Sequence, residues 1–286
     1  MTTRHSRARW AAASAVLVLA GCVGPAALSL SPPRASGPSA DIVDAALEPT
    51  AATAVTEGTP PAAVEPSATA PLREWRTGEG VAGVDVSRYQ RSVDWPGLVA
   101  SGHAFAFVKA TEGTNHRSPT HDEQRDGARE AGILQGAYHY ARPGQSSGTL
   151  QARFFHANGG AWAPDGLTLP GALDLEAAEE GDTCHGLTPA EMTAWVRAFS
   201  DEYRRLSGRV PVIYTKAELW DECTGADTSF GDHPLWLYDH GNAPGDLPAG
   251  WDRPTLWQRA VENHLDRNVF FGTGEQLISW VSAPVR

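Results

Sequence analysis

The sequence has few cysteines, little positive charge and no apolar run long enough to span a bilayer comfortably. Its 286 residues include 34 Asp and Glu against 23 Lys and Arg, which gives a formal net charge of −11. That balance argues against a nucleic-acid partner, because nucleic acid is bound by basic surfaces. The chain also lacks the C-x-x-C and H-x-x-x-H spacings of metal sites, and its 10 His are scattered. We therefore predict no metal site and no cofactor.

The first 22 residues have the pattern of a bacterial lipoprotein signal. Three arginines among the first nine residues precede an apolar run from Trp10 to Ala20, which is too short for an ordinary membrane span. The run ends in Leu19-Ala20-Gly21-Cys22, which resembles a lipobox in which Cys22 is acylated and becomes the mature N-terminus. Ordinary secretory cleavage beside an incidental Cys is the alternative. We expect residues 1–22 to direct export and Cys22 to anchor the protein in the membrane.

Lipidation of Cys22 would leave two of the three cysteines, Cys184 and Cys223. An exported protein can oxidise such a pair. The chain-entropy model assigns a loop of this length about 4 kcal/mol of stabilisation. Two buried free thiols are the alternative.

Residues 23–74 lack the side chains that a folded core needs. The segment Val23–Leu72 is dominated by Ala, Pro, Ser and Thr, and it holds no Phe, Tyr or Trp and a single basic residue, Arg34. Such a composition predicts a disordered linker that its prolines partly extend. Aromatic residues and glycine appear together from about Glu74, so we predict one folded domain over residues 75–286, of α/β-barrel size.

The folded region alternates short apolar runs with helix-like segments, which is typical of a parallel sheet with crossover helices. The strand candidates are Val81–Val86, Ala104–Ala110, Leu134–Tyr140, Gly171–Leu175, Val210–Thr215, Leu235–Tyr238, Thr255–Gln258 and Leu265–Phe270. The helix candidates are Trp95–Ser101, His121–Ala131, Thr149–Asn158 and Thr188–Ser207. Eight strands favour an α/β fold of the irregular (β/α)-barrel kind, similar to a TIM barrel but with few helices in its last third. An open doubly wound sheet is the alternative.

Polar side chains stand at or just past the ends of seven strand candidates. They are Asp85, Glu112, His139, the pair Asp174 and Glu176, Tyr214, the pair Asp239 and His240, and Gln258. In a parallel barrel the strand ends converge on one face, and that face carries catalysis. We therefore expect these side chains to share a cleft.

The most informative of these ends is Gly171-Ala-Leu-Asp174-Leu-Glu176. Side chains at positions i and i+2 of a strand point the same way, with Cα atoms roughly 6–7 Å apart. Two acids on one face at that spacing suit cleavage of a glycosidic bond, which needs a proton donor and a second carboxylate. The alternative is that Asp174 caps a helix and Glu176 is a solvated surface charge.

Several motifs, taken in order, carry a family resemblance. They are Gly83-Val-Asp85-Val-Ser87-Arg-Tyr89-Gln90, Phe107-Val-Lys-Ala-Thr-Glu112-Gly113, Gly136-Ala-Tyr138-His139-Tyr140-Ala-Arg142-Pro143, Leu169-Pro-Gly-Ala-Leu-Asp174-Leu-Glu176, Ile213-Tyr214-Thr215, Leu256-Trp257-Gln258 and Asp266-Arg-Asn268. From about Val81 to Phe271 the chain resembles the family-25 glycoside hydrolases, the lysozymes of the Chalaropsis type, also called N-acetylmuramidases.

The resemblance implies an irregular β/α barrel that hydrolyses the β-1,4 bond between N-acetylmuramic acid and N-acetylglucosamine. It also implies roles for four acids. Glu176 is similar in position to the proton donor, Asp174 to the residue that steers or stabilises the reacting centre, and Asp85 and Asp266 to the other acids of the cleft. Because a general acid must be protonated near neutral pH, we expect crowding by these acids to raise the pKa of Glu176. Attack by water and assistance by the substrate's acetamido group both stay open.

The same resemblance suggests residues that hold the substrate and a disulfide between Cys184 and Cys223. The expected substrate-binding residues are Tyr89, Glu112, Tyr138, His139, Tyr214, Trp236, Trp257 and Gln258. Each aromatic among them has a core position as its alternative. Tyr89 stands where the family usually has Trp, which would alter a sugar-stacking surface.

The resulting hypothesis is a monomeric, membrane-anchored lysozyme that acts on the glycan strands of peptidoglycan. A wall-binding lipoprotein on a catalytically decayed scaffold is the alternative, and the intact set of four acids argues against it. Glucosamine at the new reducing end of the products would indicate a glucosaminidase instead.

Overall fold

A computed structural model describes residues 80–178 and 180–283 of the chain. The predicted signal over residues 1–22, the acylated Cys22, the linker over residues 23–74 and the start of the folded domain lie outside the described residues. Within the described ranges, none of the helices is both long enough and apolar enough to cross a membrane.

The described residues form nine strands and six α-helices. The strands are Val81–Val86 (β1), His103–Glu112 (β2), His116–Arg117 (β3), Leu134–Tyr140 (β4), Ala172–Asp174 (β5), Val212–Thr215 (β6), Leu235–Tyr238 (β7), Leu256–Glu262 (β8) and Leu265–Phe270 (β9). The helices are Trp95–Ala100 (α1), His121–Glu130 (α2), Gly148–Phe155 (α3), Pro189–Ser207 (α4), Ala217–Thr224 (α5) and Gly274–Ser282 (α6). The chain turns away from the α3 axis over His156–Gly160, where Asn158 (φ −124°, ψ 38°) and Gly159 (φ 112°, ψ −10°) depart from helical geometry.

Eight of the strands close into a barrel. Neighbouring strands follow the order β1-β9-β8-β7-β6-β5-β4-β2, and β1 also pairs with β2, which closes the ring. The short strand β3 pairs only with the end of β2 and stays outside the ring. The predicted irregular barrel is therefore confirmed, and every predicted strand has a counterpart in it.

The last strand departs from the expected parallel arrangement, because β9 is antiparallel to both β8 and β1. The reason is the connection. Glu262 pairs with Leu265, so only Asn263 and His264 join the two strands. Both have positive φ, 53° and 63°, as both central residues of a type I′ hairpin turn must. Two residues suffice for a hairpin, whereas a parallel return would need a crossover of a dozen or more.

Side chains alternate between the inside of the barrel and the surrounding helices. Phe107 of β2 meets Trp236 of β7 with ring centroids 4.7 Å apart. Because β2 and β7 are not neighbours in the ring, the two rings must meet through the barrel interior. Ala106 and Val108, which flank Phe107, instead pack in a cluster with Trp95 of α1 and Ala128 of α2. This alternation decides which strand-end residues can reach a cleft at the barrel mouth.

Helix α4 and the disulfide fix the outer layer beside β5. Thr188 and Glu191 form a capping box at the start of α4, and Gly208 ends the helix in the left-handed conformation, with φ 71°. Cys184 and Cys223 are joined, with Cα atoms 5.2 Å apart. The predicted disulfide is thus confirmed, and it ties the segment that follows β5 to helix α5.

Candidate active site

A cleft of about 500 Å³ opens at the mouth of the barrel, where the carboxyl ends of the parallel strands meet. Ten of the twelve residues predicted for catalysis or substrate binding line it. They are Asp85, Tyr89, Glu112, Tyr138, Asp174, Glu176, Tyr214, Trp236, Gln258 and Asp266. Strand ends from around the ring therefore contribute to one site, as the sequence predicts.

Asp174 and Glu176 lie side by side in the cleft. Asp174 is the last residue of β5 and is 5% exposed. Burial raises the pKa of Asp174 well above its ordinary value, and the neighbouring charge of Glu176 and a hydrogen bond to its carboxyl raise it further. The Oδ1 atom of Asp174 has no hydrogen-bond partner among the described residues.

Asp85 is held by a network of side-chain amides. Its Oδ2 accepts hydrogen bonds from Gln258 Nε2 at 2.9 Å and from Asn268 Nδ2 at 2.8 Å. Tyr214 donates its hydroxyl to Gln258 Oε1 at 2.9 Å, and Trp236 donates its indole N–H to Asn268 Oδ1 at 2.7 Å. Each amide is thereby locked with its N–H₂ group towards Asp85. The carboxyl of Asp85 therefore has a fixed place in the cleft.

The same carboxyl has a strongly perturbed acidity. Burial and the charge of Asp266 raise the pKa of Asp85 from 3.8 to about 7, against the opposing effect of the amide hydrogen bonds. Asp85 consequently keeps its proton to a much higher pH than an ordinary carboxyl group. Two acids that compete for charge in this way are typical of sites that move protons.

Asp266 reaches the cleft because its strand is antiparallel. It pairs directly with Asp85 across the β1–β9 ladder, and directly opposed Cβ atoms in such ladders lie about 4.5–5.5 Å apart. It stands near the beginning of β9, which in an antiparallel strand lies on the same rim as the end of β1. Burial raises the pKa of Asp266, and the nearby His240 opposes that change.

A second charged group lines another part of the cleft. Glu112 accepts hydrogen bonds from Lys109 Nζ at 2.8 Å and from Arg142, whose Nη2 lies 2.6 Å from Oε1. Burial would raise the pKa of Glu112, but the two cations outweigh it and bring the pKa to about 2. Both cations also lie over the ring of Tyr140, at 4.6 and 4.7 Å from its centroid. Glu112 is thus ionised at any physiological pH and holds both cations beside the acids.

The aromatic residues of the cleft divide into a floor and a rim. Trp236 forms the floor with Tyr214 and Tyr138, whose rings meet it edge-on at 4.8 and 6.4 Å. Tyr89 lies at the rim and is 78% exposed. Because the floor rings are packed against each other, Tyr89 has the ring most available for stacking on a sugar.

His139 and Trp257 were expected to bind substrate, and the structure places both outside the cleft. Each is adjacent in its strand to an inward-facing residue, Tyr138 or Gln258, and must therefore face outward. His139 is fully buried, and its ring nitrogens lie 2.8 Å from Thr111 Oγ1 and 2.9 Å from Gln151 Oε1. Burial lowers its pKa to about 4, so it is a neutral core residue.

Trp257 packs against the helical layer in the same way. Its indole N–H donates to the carbonyl of Asp239 at 2.5 Å, and its ring stacks on Phe271 at 6.2 Å. Asp239 was expected in the cleft with His240, and of these two only His240 lines it. The Oδ2 atom of Asp239 instead accepts a hydrogen bond from the backbone N–H of Gly245.

The cleft also contains residues that the sequence analysis did not propose. Lys109, Tyr140 and Tyr238 line the cleft, and Asn268 holds Asp85. Tyr140, Tyr238 and Asn268 each lie two residues along their strand from a predicted cleft residue, so the two-residue period of a strand carries the signal that finds them. Lys109 lies three residues before Glu112, and the pairing of β2 with β4 shifts between Lys109 and Thr111. Among the described residues, no group of three or more His, Cys, Asp or Glu is arranged to hold a metal ion.

Comparison with known proteins places this site in a family. Residues 84–265 match the profile of the glycosyl hydrolases family 25. The chain is similar to the N,O-diacetylmuramidase of Chalaropsis sp., with 43% identity over 63% of this chain and 88% of that protein. It is also similar to Lysozyme M1 of Streptomyces globisporus, with 39% identity over 70% of this chain and 71% of that protein. A solved muramidase from Trichobolus zukalii superposes with a TM-score of 0.70 and 41% identity, over 71% of this chain and 100% of that one.

Proposed function

The chain belongs to family 25 of the glycosyl hydrolases, and on that basis we propose that it is a lysozyme. It hydrolyses the β-1,4 bond between N-acetylmuramic acid and N-acetylglucosamine in peptidoglycan. The observation that carries this proposal is the pair of carboxyl groups of Asp174 and Glu176 in the cleft. Relatives named muramidase and lysozyme at about 40% identity support it.

We assign proton donation to Glu176, which delivers a proton to the leaving sugar oxygen. Breaking a glycosidic bond builds positive charge on the sugar left behind. Asp174 lies beside the donor, with a carboxyl oxygen that no described residue engages. Because the Asp174 side chain lines the cleft, its carboxyl group is placed to steer or stabilise the reacting centre, either directly or through the substrate's acetamido group.

Asp85 and Asp266 complete the assignment as the remaining acids of the cleft. Their carboxyl groups face the same space from β1 and β9. Negative charge on these groups stabilises the positive transition state more than the neutral substrate, so its benefit is to kcat. The amides of Gln258 and Asn268 hold Asp85 without supplying a positive charge that would cancel this effect.

Substrate binding is assigned to Tyr89 at the rim of the cleft and to Glu112 with the two cations that contact it. Tyr89 offers an exposed ring to a sugar face, and Glu112 with its two cations offers charged hydrogen-bonding groups along the same cleft.

We further propose that the enzyme is exported and held at the membrane by lipid on Cys22. The Cys184–Cys223 disulfide supports export, because such bonds persist in oxidising compartments. The basic start, the short apolar run and the Leu19-Ala20-Gly21-Cys22 sequence support the anchor. A coil of about 50 residues would reach roughly 35–45 Å, which would let a tethered barrel reach glycan above the membrane.

The identity of the new reducing end tests the proposed activity. Purified peptidoglycan is digested with the protein, the products are reduced with borohydride, and the reduced sugar is identified by mass analysis. Reduced muramic acid supports a muramidase. Reduced glucosamine would assign a glucosaminidase instead, and binding without any product would indicate a wall-binding protein.

A further inference from the structure

The acid assigned as proton donor lies just beyond the end of its strand. Strand β5 ends at Asp174, and just past it the Leu175 N–H donates to the Tyr214 carbonyl at 2.9 Å. The carbonyl of Glu176 receives a different contact, with Nε2 of His185 at 2.9 Å. A side chain nine residues further along the chain therefore contacts the backbone of the proton donor.

His185 itself is held in an unfavourable backbone conformation. Its φ is +61°, in the left-handed region that side-chain-bearing residues seldom adopt. The backbone N–H of His185 donates to the carbonyl of Asp182 at 2.9 Å, and the Asp182 carboxylate accepts from the N–H groups of Cys184 and Gly186 at 2.9 and 3.2 Å. A residue in such a conformation persists only where its surroundings hold it there.

Two further contacts tie this turn to the rest of the barrel. Cys184, directly before His185, is bonded to Cys223 of α5, which is 1% exposed. On the other side, the His185 carbonyl lies against Gly144, where an added Cβ would come within 2.6 Å of that oxygen. The turn is therefore clamped between α5 and the loop after β4.

We propose that His185, held by the Cys184–Cys223 disulfide, is a positioning residue that sets the placement of Glu176 for proton donation. This inference rests on the role proposed above for Glu176. A general acid must lie within about 2.6–3.2 Å of the oxygen it protonates, and a misplacement of about 1 Å can cost roughly 100-fold in rate. The His185 contact fixes the Glu176 carbonyl just past the end of β5, so its loss should shift the backbone from which the Glu176 carboxyl extends.

Three variants and a combined variant test the proposal, with kcat, KM and Tm measured on soluble peptidoglycan fragments. His185→Leu removes the donor, and kcat should fall about 10- to 100-fold while KM stays within about twofold. His185→Gln keeps an N–H donor of similar reach and should recover most of that loss. The Cys184→Ser, Cys223→Ser double variant releases the turn and should lower kcat about 10-fold. Adding His185→Leu to it should cost much less than the product of the two separate losses, because both act through one contact.

The outcomes separate this inference from the proposed activity. His156→Leu, a histidine away from the cleft, serves as the matched control and should leave kcat unchanged. Wild-type kcat in His185→Leu, equal losses in His185→Leu and His185→Gln, or fully multiplicative losses with the cysteine variant would each overturn the positioning role. If His185→Leu does not fold, the cysteine double variant decides the question by itself, and a wild-type kcat in that variant would overturn the positioning role. A wild-type protein that releases no product refutes the lysozyme activity itself, and the positioning role with it.

Discussion

Replacing Asp85 by Asn should make the protein more stable at neutral pH while it lowers activity. The pKa of Asp85 is raised from 3.8 to about 7. Between those two pH values the folded protein keeps a proton on this group that the unfolded chain has released. Because the folded state binds more protons, the stability contributed by this group falls as the pH rises through that window.

The size of the effect follows from the same two values. One pKa unit corresponds to about 1.4 kcal/mol, so a difference of about three units sets an upper limit near 4 kcal/mol. Part of the rise in the pKa of Asp85 comes from the negative charge of Asp266. Part of the stability gained by Asp85→Asn therefore depends on Asp266 being ionised. We expect Asp85→Asn to be more stable than wild type by about 2–4 kcal/mol above pH 7 and by little near pH 4.

Asparagine is a close replacement, because one oxygen, Oδ2, accepts both amide hydrogen bonds. The amide oxygen of Asn can take that position. Urea unfolding of both proteins from pH 4 to pH 8 measures the difference in stability at each pH. Taking the difference removes groups common to both, such as His139, whose pKa is lowered to about 4 and whose own contribution rises with pH.

Asp201→Asn, at an exposed position of α4, is the control and should give a flat difference. A difference between Asp85→Asn and wild type that does not grow with pH would refute the reasoning. It would mean that Asp85 is ionised in the folded protein like an ordinary carboxyl group.

Further substitutions test the other assigned roles. In steady-state kinetics on glycan fragments, Asp174→Asn and Asp266→Asn should each lower kcat more than they raise KM, because their charges act on the transition state. A change in KM alone would make either residue a binding residue. Tyr89→Ala should raise KM several-fold with little change in kcat, and Tyr89→Trp should not, since a ring is needed for stacking; equal KM values in all three proteins would remove Tyr89 from binding. Cys22→Ser should move the protein from the detergent phase to the aqueous phase in a partitioning assay, and a wild type that is equally aqueous would contradict the anchor.

The barrel was predictable because its strands are short apolar runs between turn signals. Each predicted strand has a counterpart, and the helix candidate Thr188–Ser207 corresponds to α4. The direction of β9 was not predicted. It depends on Asn263 and His264 both adopting positive φ, and neither residue is glycine, so the two-residue hairpin had a weak sequence signal.

The acidic residues of the cleft were predictable from the sequence, whereas the residues adjacent to them in the strands were predicted less well. Tyr138 and His139 were both assigned to the cleft, although adjacent strand residues face opposite ways. Strict use of that period would have kept Tyr138 and placed His139 in the core. It would not have found Lys109, because the pairing of β2 shifts between Lys109 and Thr111 and so brings Lys109 into the cleft three residues before Glu112. The contact of His185 with Glu176 depends on a turn held by the disulfide, and no local pattern predicts such a contact.

The most direct test of the central claim is turnover by Glu176→Gln on purified peptidoglycan, with pelleting on the same material as the measure of binding. The change is isosteric and removes the proton donor, which is typically worth about 10²- to 10⁴-fold in rate. Glu130→Gln, an exposed acid at the end of α2, is the matched control. The account predicts that Glu176→Gln binds peptidoglycan like wild type and loses at least about 100-fold in kcat, while Glu130→Gln loses nothing. A Glu176→Gln enzyme within about threefold of wild type would contradict it, because proton transfer contributes far more than that.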